Sequence, residues 1–149
     1  MYRKILVPPD GSEESEKALP AAQALLAESG GGEILVLRVL DIPTSSSWTS
    51  HNVLAAHEAE KAAVQAYLEG IKAKLKHPRV ELLIHNGPSP AQAISDLAGE
   101  RGVDLIAMTC HGRSALHQFI LGSQTEKTLR LARCSVLVVR DPQPTPIKP

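Results

Sequence analysis

Late in the chain, Thr109-Cys110-His111-Gly112 is followed, after nine further residues, by Gly122-Ser123-Gln124-Thr125. An apolar run, Val103-Asp104-Leu105-Ile106-Ala107-Met108, precedes this stretch, and a helix-periodic pattern follows it. A strand, a glycine-spaced loop and a helix in that order suit a phosphate. Glycines let backbone approach a ligand, and the first N–H groups of the helix have no intrahelical acceptor. The spacing is neither a GxxxxGK(S/T) phosphate loop nor a GxGxxG dinucleotide fingerprint.

Other reactive residue types give less. Asp10, in Pro9-Asp10-Gly11-Ser12, fits a turn former or a ligand contact at a strand end. His111 has acid–base chemistry, but no serine or cysteine nucleophile with a third orienting group can be placed beside it. A structural or phosphate-contacting histidine is the simpler reading. Arg113 is a cation close to the glycine loop and equally suits a solvated surface. Cys110 and Cys134 show no metal-ligand spacing, and His51, His57, His85 and His117 show none either.

Composition narrows the partners. The 149 residues carry 16 basic and 16 acidic side chains, so there is no basic footprint for nucleic acid or an anionic membrane. One Phe, one Trp and two Tyr are too few for a base-stacking platform. The first apolar segment, Ile5-Leu6-Val7, ends at Pro8-Pro9 and is far too short for a signal peptide or a membrane span. A reduced, cytoplasmic protein is expected.

The elements that must position these residues alternate along the chain. Apolar runs of strand length fall at 4–8, 33–40, 80–85, 103–108 and 136–140. They are continuous rather than alternating, as in strands covered on both faces. Between them lie helical patterns. The first spans 12–29, with Ser12 as cap, Pro20 as a bend and Gly30-Gly31-Gly32 as its stop. The second follows a Ser-rich loop at 42–52 and buries Val64, Leu68, Ile71 and Leu75. The third opens at Ser89-Pro90. The fourth opens at Ser123, where Ser123-Gln124-Thr125-Glu126 fits a capping box.

This order predicts an α/β fold: a five-stranded parallel sheet with right-handed crossovers, order 3-2-1-4-5, and helices on both faces. The chain reverses between strands one and four, so the loops after them, at Asp10 and at Gly112–Thr125, converge on one crevice. Residues 1–141 form the domain. Residues 142–149, rich in proline, form a disordered tail. The final strand is an edge whose centre, Val136-Leu137-Val138-Val139, is uncharged and open to pairing with a second copy.

The chain resembles the universal stress protein family at Met1–Asp10, at Leu37-Arg38-Val39, and from His111-Gly112-Arg113-Ser114 through Gly122-Ser123 to Arg140. The family's nucleotide motif is glycine, two residues, glycine, nine residues, glycine, then serine or threonine. Gly112, Gly122 and Ser123 match it, and Thr109 replaces the first glycine. The resemblance implies a half-Rossmann domain holding ATP, with Mg²⁺ or Mn²⁺ carried mainly by the phosphates. Adenine would sit near Val39, Pro8 and Pro9, with Asp10 at the base-and-ribose end. Met108, Thr109, His111, Gly112 and Arg113 would line ribose and phosphates, and Gly122, Ser123, Gln124 and Thr125 would hold the phosphate chain. It also implies an antiparallel homodimer through the last strand and a stress-response sensor or regulator. Two rival readings use the same fold: a nucleotide-free dimeric interaction protein, which Thr109 motivates, and a slow nucleotide hydrolase.

Overall fold

The computed structural model describes residues 1–40, 51–110 and 121–140. Expectations for residues 42–50 of the predicted 42–52 loop, for His111, Gly112 and Arg113, and for the 142–149 tail lie outside the described residues, whereas His51 and Asn52, expected in that loop, already belong to a helix. The strands are β1 (Lys4–Val7), β2 (Glu33–Leu40), β3 (Val80–Asn86), β4 (Leu105–Thr109) and β5 (Ser135–Val139). They form one parallel sheet in the order β3-β2-β1-β4-β5, the predicted topology.

Both sheet faces are covered, which explains the unbroken apolar runs. On one face Ile5, Val7, Ile34, Val36, Leu105 and Ala107 pack with Ala22 and Leu26 of α2 (Ala18–Glu28) and Leu68 and Ile71 of α3 (His51–Lys74). On the other, Leu6, Leu35, Leu37 and Ile106 meet Ala93, Ile94 and Ala98 of α4 (Pro90–Glu100). The last helix, α5 (Ser123–Leu131), packs beside α4. Alternation along each strand sends successive side chains to opposite cores.

Three local expectations change. The helix read over 12–29 is two helices, α1 (Glu13–Glu16) and α2, separated at Lys17. Proline at position 20 has no N–H for the carbonyl of Glu16, four residues earlier, and its ring crowds that carbonyl, so the ladder is interrupted there. Strand four runs 105–109 rather than 103–108. Asp104 is taken up by the start of β1: its Oδ2 accepts from the backbone N–H groups of Arg3 and Lys4, each at 2.8 Å. Thr109 therefore belongs to the strand, not to the loop.

The third change concerns α5. Gly122 is its N-cap and Ser123 its first helical residue, so the predicted capping box does not form. Glu126 pairs instead with Arg130 one turn on, at 2.6 Å. By contrast, Ser89 caps α4 as expected, its Oγ accepting from the Gln92 N–H at 3.4 Å.

Candidate functional site

A parallel sheet sends every strand-to-helix connection out at the strands' carboxyl ends. Here β1 has β2 on one side and β4 on the other, so the chain leaving β1 and the chain leaving β4 diverge and open a crevice. A cavity of about 280 Å³ occupies it. Its floor is strand ends: Pro8, Pro9 and Asp10 after β1, Leu37 and Val39 from β2, Met108 and Thr109 from β4. Pro90 and Ile94 of α4 form one wall, and the first turn of α5, with Gly122, forms another.

All ten of the sequence-predicted ligand residues that are described thus line one cavity. Pocket-lining Ser15, Leu37, Arg38, Pro90 and Ile94 were not anticipated. A signal for Pro90 existed. A helix that follows a parallel strand begins at the carboxyl end of the sheet, so the Ser89-Pro90 start had to overhang the crevice. Arg38 falls at a strand position whose neighbours Val36 and Leu40 belong to the α2–α3 core, so strand alternation puts its guanidinium on that face. Its charge lies near the Tyr67 hydroxyl. Burial, and secondarily the Glu16 carboxylate, hold that phenol neutral well above its usual range, while Arg38 opposes the shift.

Asp10 is both a turn former and a cavity residue. Its Oδ1 accepts from the Ser12 N–H at 2.9 Å and from the Ser12 hydroxyl at 2.6 Å. Gly11, with φ +95°, makes the reversal that brings Ser12 back. The Asp10 N–H donates to Ser15 Oγ at 3.1 Å, and the Ser15 hydroxyl donates to the Ser12 carbonyl at 2.7 Å. The carboxylate is held in position before any ligand arrives.

The start of α5 is fastened to the end of β4 twice. The Gly122 N–H donates to the Cys110 carbonyl at 2.7 Å, and the Thr125 hydroxyl donates to the Thr109 carbonyl at 2.9 Å. Thr109 is buried in ordinary strand backbone, and no described non-glycine residue has a positive φ. Glycine is not required there for conformation. Gly122 brings no capping side chain, so the N–H groups of Ser123, Gln124 and Thr125 face the cavity end of the helix without competition from their own cap. Together with the helix dipole they form an anion-receptive end. The cavity lining also includes Leu37, Val39, Met108 and Ile94, an apolar surface that suits a flat ring.

The cysteines stand apart. Parallel register pairs Leu105 with Ser135 and Thr109 with Val139, so Cys134 and Cys110 sit at opposite ends of the β4–β5 ladder, roughly 20 Å apart. They cannot bridge within one chain. Partial burial also raises the Cys134 thiol above its usual range, which favours the protonated form. Among the described residues, no group of three or more His, Cys, Asp or Glu is placed to hold a metal ion. No described helix is long and apolar enough to cross a membrane.

Sequence comparison matches residues 1–140 to the universal stress protein family. The chain is 35% identical over 150 residues to universal stress protein YxiE of Bacillus subtilis, covering 94% of this chain and 100% of that one. Among solved structures, hypothetical protein MJ0577 superposes with a TM-score of 0.77 at 31% identity, covering 97% of this chain and 99% of the other. A universal stress protein solved in complex with cAMP shares the fold, with a TM-score of 0.69 at 23% identity over 93% of this chain and 96% of that one. With the strand order, the switch-point cavity and this extent of similarity in agreement, the chain belongs to the universal stress protein family.

Proposed function

We propose that this protein binds an adenine nucleotide, ATP with Mg²⁺ or Mn²⁺, and acts as a homodimeric stress-response sensor or regulator. The observation that carries the reading is the polarity of the cavity. Its lining combines an apolar, largely strand-borne surface with the uncapped N-terminus of α5. Adenine stacks against the apolar surface near Val39, the ribose lies by the pre-set Asp10 carboxylate, and the phosphates meet Ser123 and the neighbouring N–H groups. The divalent cation offsets phosphate charge and is held chiefly by phosphate oxygens. A relative of the same fold is a cAMP complex, in keeping with a nucleotide in this crevice. Any turnover is slow, because Asp10 has one oxygen committed to Ser12 and, among the described residues, no general base is assigned to activate water.

Protein purified without added nucleotide, heat-denatured and chromatographed, is expected to release adenine nucleotide. Calorimetric titration of stripped protein with ATP should show binding that weakens when Mg²⁺ is chelated. No heat at millimolar ATP, with no nucleotide released, overturns the reading.

Homodimerisation follows from β5. It is the sheet's edge, and Val136, Leu137, Val138 and Val139 are only half-buried within one chain. Antiparallel pairing of two such edges would satisfy the open backbone groups and cover these side chains. Sedimentation equilibrium should return twice the chain mass, and substitution of Val138 by Lys should shift it toward one. A wild-type mass of one chain would remove this part of the proposal.

A further inference from the structure

We infer that Gln124 is a positioning residue, a brace between the first turns of α4 and α5 that sets the separation of the two cavity walls. The inference deepens the nucleotide reading and rests on it for its binding consequences. It gives Gln124 a task in addition to any contact with phosphate.

The donors in the first turn of α4 are met one by one. Pro90 has no N–H. The Gln92 N–H is met by Ser89 Oγ, and the Ala93 N–H by the Ser89 carbonyl at 3.0 Å. Ala91 remains, and it is fully buried, so water cannot serve its N–H. Its acceptor is Gln124 Oε1, 3.2 Å away and 33 residues further along the chain. Gln124 is therefore the cap that Ser89 cannot be for this donor.

The chemistry orients the amide. A backbone N–H can be met only by an acceptor, so the oxygen of Gln124 must face α4. The Ala91 bond uses the amide oxygen, which no phosphate would accept from, so this task is separate from any donation by the amide nitrogen. Meanwhile α5 cannot drift, because Gly122 and Thr125 tie it to the end of β4. The Gln124–Ala91 bond thus fixes α4 against an anchored α5. Both helix starts line the cavity, α4 through Pro90 and Ile94 and α5 through Ser123. A change in wall separation is felt along the whole ligand, not only at its phosphate end.

The test compares adenosine with AMP by calorimetric titration of wild type, Gln124→Ala and Gln124→Glu. For Gln124→Ala, both ligands are expected to weaken by a common factor of about three to ten, the worth of one net hydrogen bond. Gln124→Glu retains an acceptor for the Ala91 N–H and should recover adenosine affinity. Loss confined to AMP in Gln124→Ala would make Gln124 a phosphate contact and overturn the brace. So would a Gln124→Glu variant no better than alanine for adenosine. If wild type binds neither ligand, the nucleotide reading fails, and amide hydrogen exchange still decides the brace. Ala91 should exchange faster in Gln124→Ala and return toward wild type in Gln124→Glu, and unchanged Ala91 protection in Gln124→Ala overturns it.

Discussion

Ser123→Pro should lower affinity for AMP about a hundredfold and leave adenosine binding and the fold in place. Ser123 is the first residue of α5, the one helical position where proline's fixed φ and missing N–H carry no helical penalty. The residue before a proline must be extended, and Gly122 already is, with φ −56° and ψ 143°. The substitution removes two donors at once, the backbone N–H and the hydroxyl. A hydrogen bond to a charged acceptor contributes about 1.5–3 kcal/mol, so losing two at the low end costs about 3 kcal/mol, or about two orders of magnitude. Calorimetric titration with the two ligands, beside a thermal melt, checks this. Equal loss for adenosine and AMP, or no loss for either, would remove the α5 N-terminus from phosphate binding. The contrast with Gln124→Ala, expected to weaken both ligands alike, separates a donor that touches phosphate from a side chain that spaces the walls.

Gly32→Ala should destabilise the fold by about 2–3 kcal/mol without acting on the ligand site directly. A Cβ at position 32 would fall inside contact distance of the Arg3 carbonyl oxygen and 2.7 Å from Leu26 Cδ2. Neither neighbour can give way easily. The Arg3 carbonyl accepts from the Glu33 N–H at 2.9 Å and so opens the β1–β2 ladder, and Leu26 is fully buried. Relief would require moving the start of β1 or repacking the end of α2. Urea denaturation of wild type and variant measures the difference. An unchanged midpoint would mean that the turn yields without cost. Gly30 and Gly31, by contrast, have φ of +78° and +100° and open space around them, so they are glycines for conformation, whereas Gly32 is one for room.

Much of this molecule can be read along the chain. The continuous apolar runs locate all five strands to within two residues, because both sheet faces are covered and periodicity is a local property of the sequence. The Ser89-Pro90 cap, the glycine stop after α2 and the buried stripe Val64, Leu68 and Ile71 are equally local, and each is found where expected. Right-handed crossovers then leave few topologies, and the switch point follows from the strand order. The shared cavity at Asp10, Val39, Met108 and the first turn of α5 is a consequence of that order.

Other features depend on three-dimensional neighbours. Nothing in Ser123-Gln124-Thr125-Glu126 distinguishes a capping box from a helix capped by the preceding glycine. The choice turned on the Gly122 N–H reaching the Cys110 carbonyl, which places Ser123 one position further in. Asp104 looks like part of an apolar strand until the amides of Arg3 and Lys4 are found beside it.

The amino-acid order alone determined the architecture and the crevice, since these follow from periodicity, caps and handedness that act over a few residues at a time, while the candidate ligand residues came from the family resemblance. Only the tertiary structure decided what the polar side chains of that crevice do. Thr125 reaches back 16 residues to Thr109 and Gln124 reaches back 33 to Ala91. A side-chain hydrogen bond depends on distance and direction between segments far apart in the chain, and no local pattern carries that information.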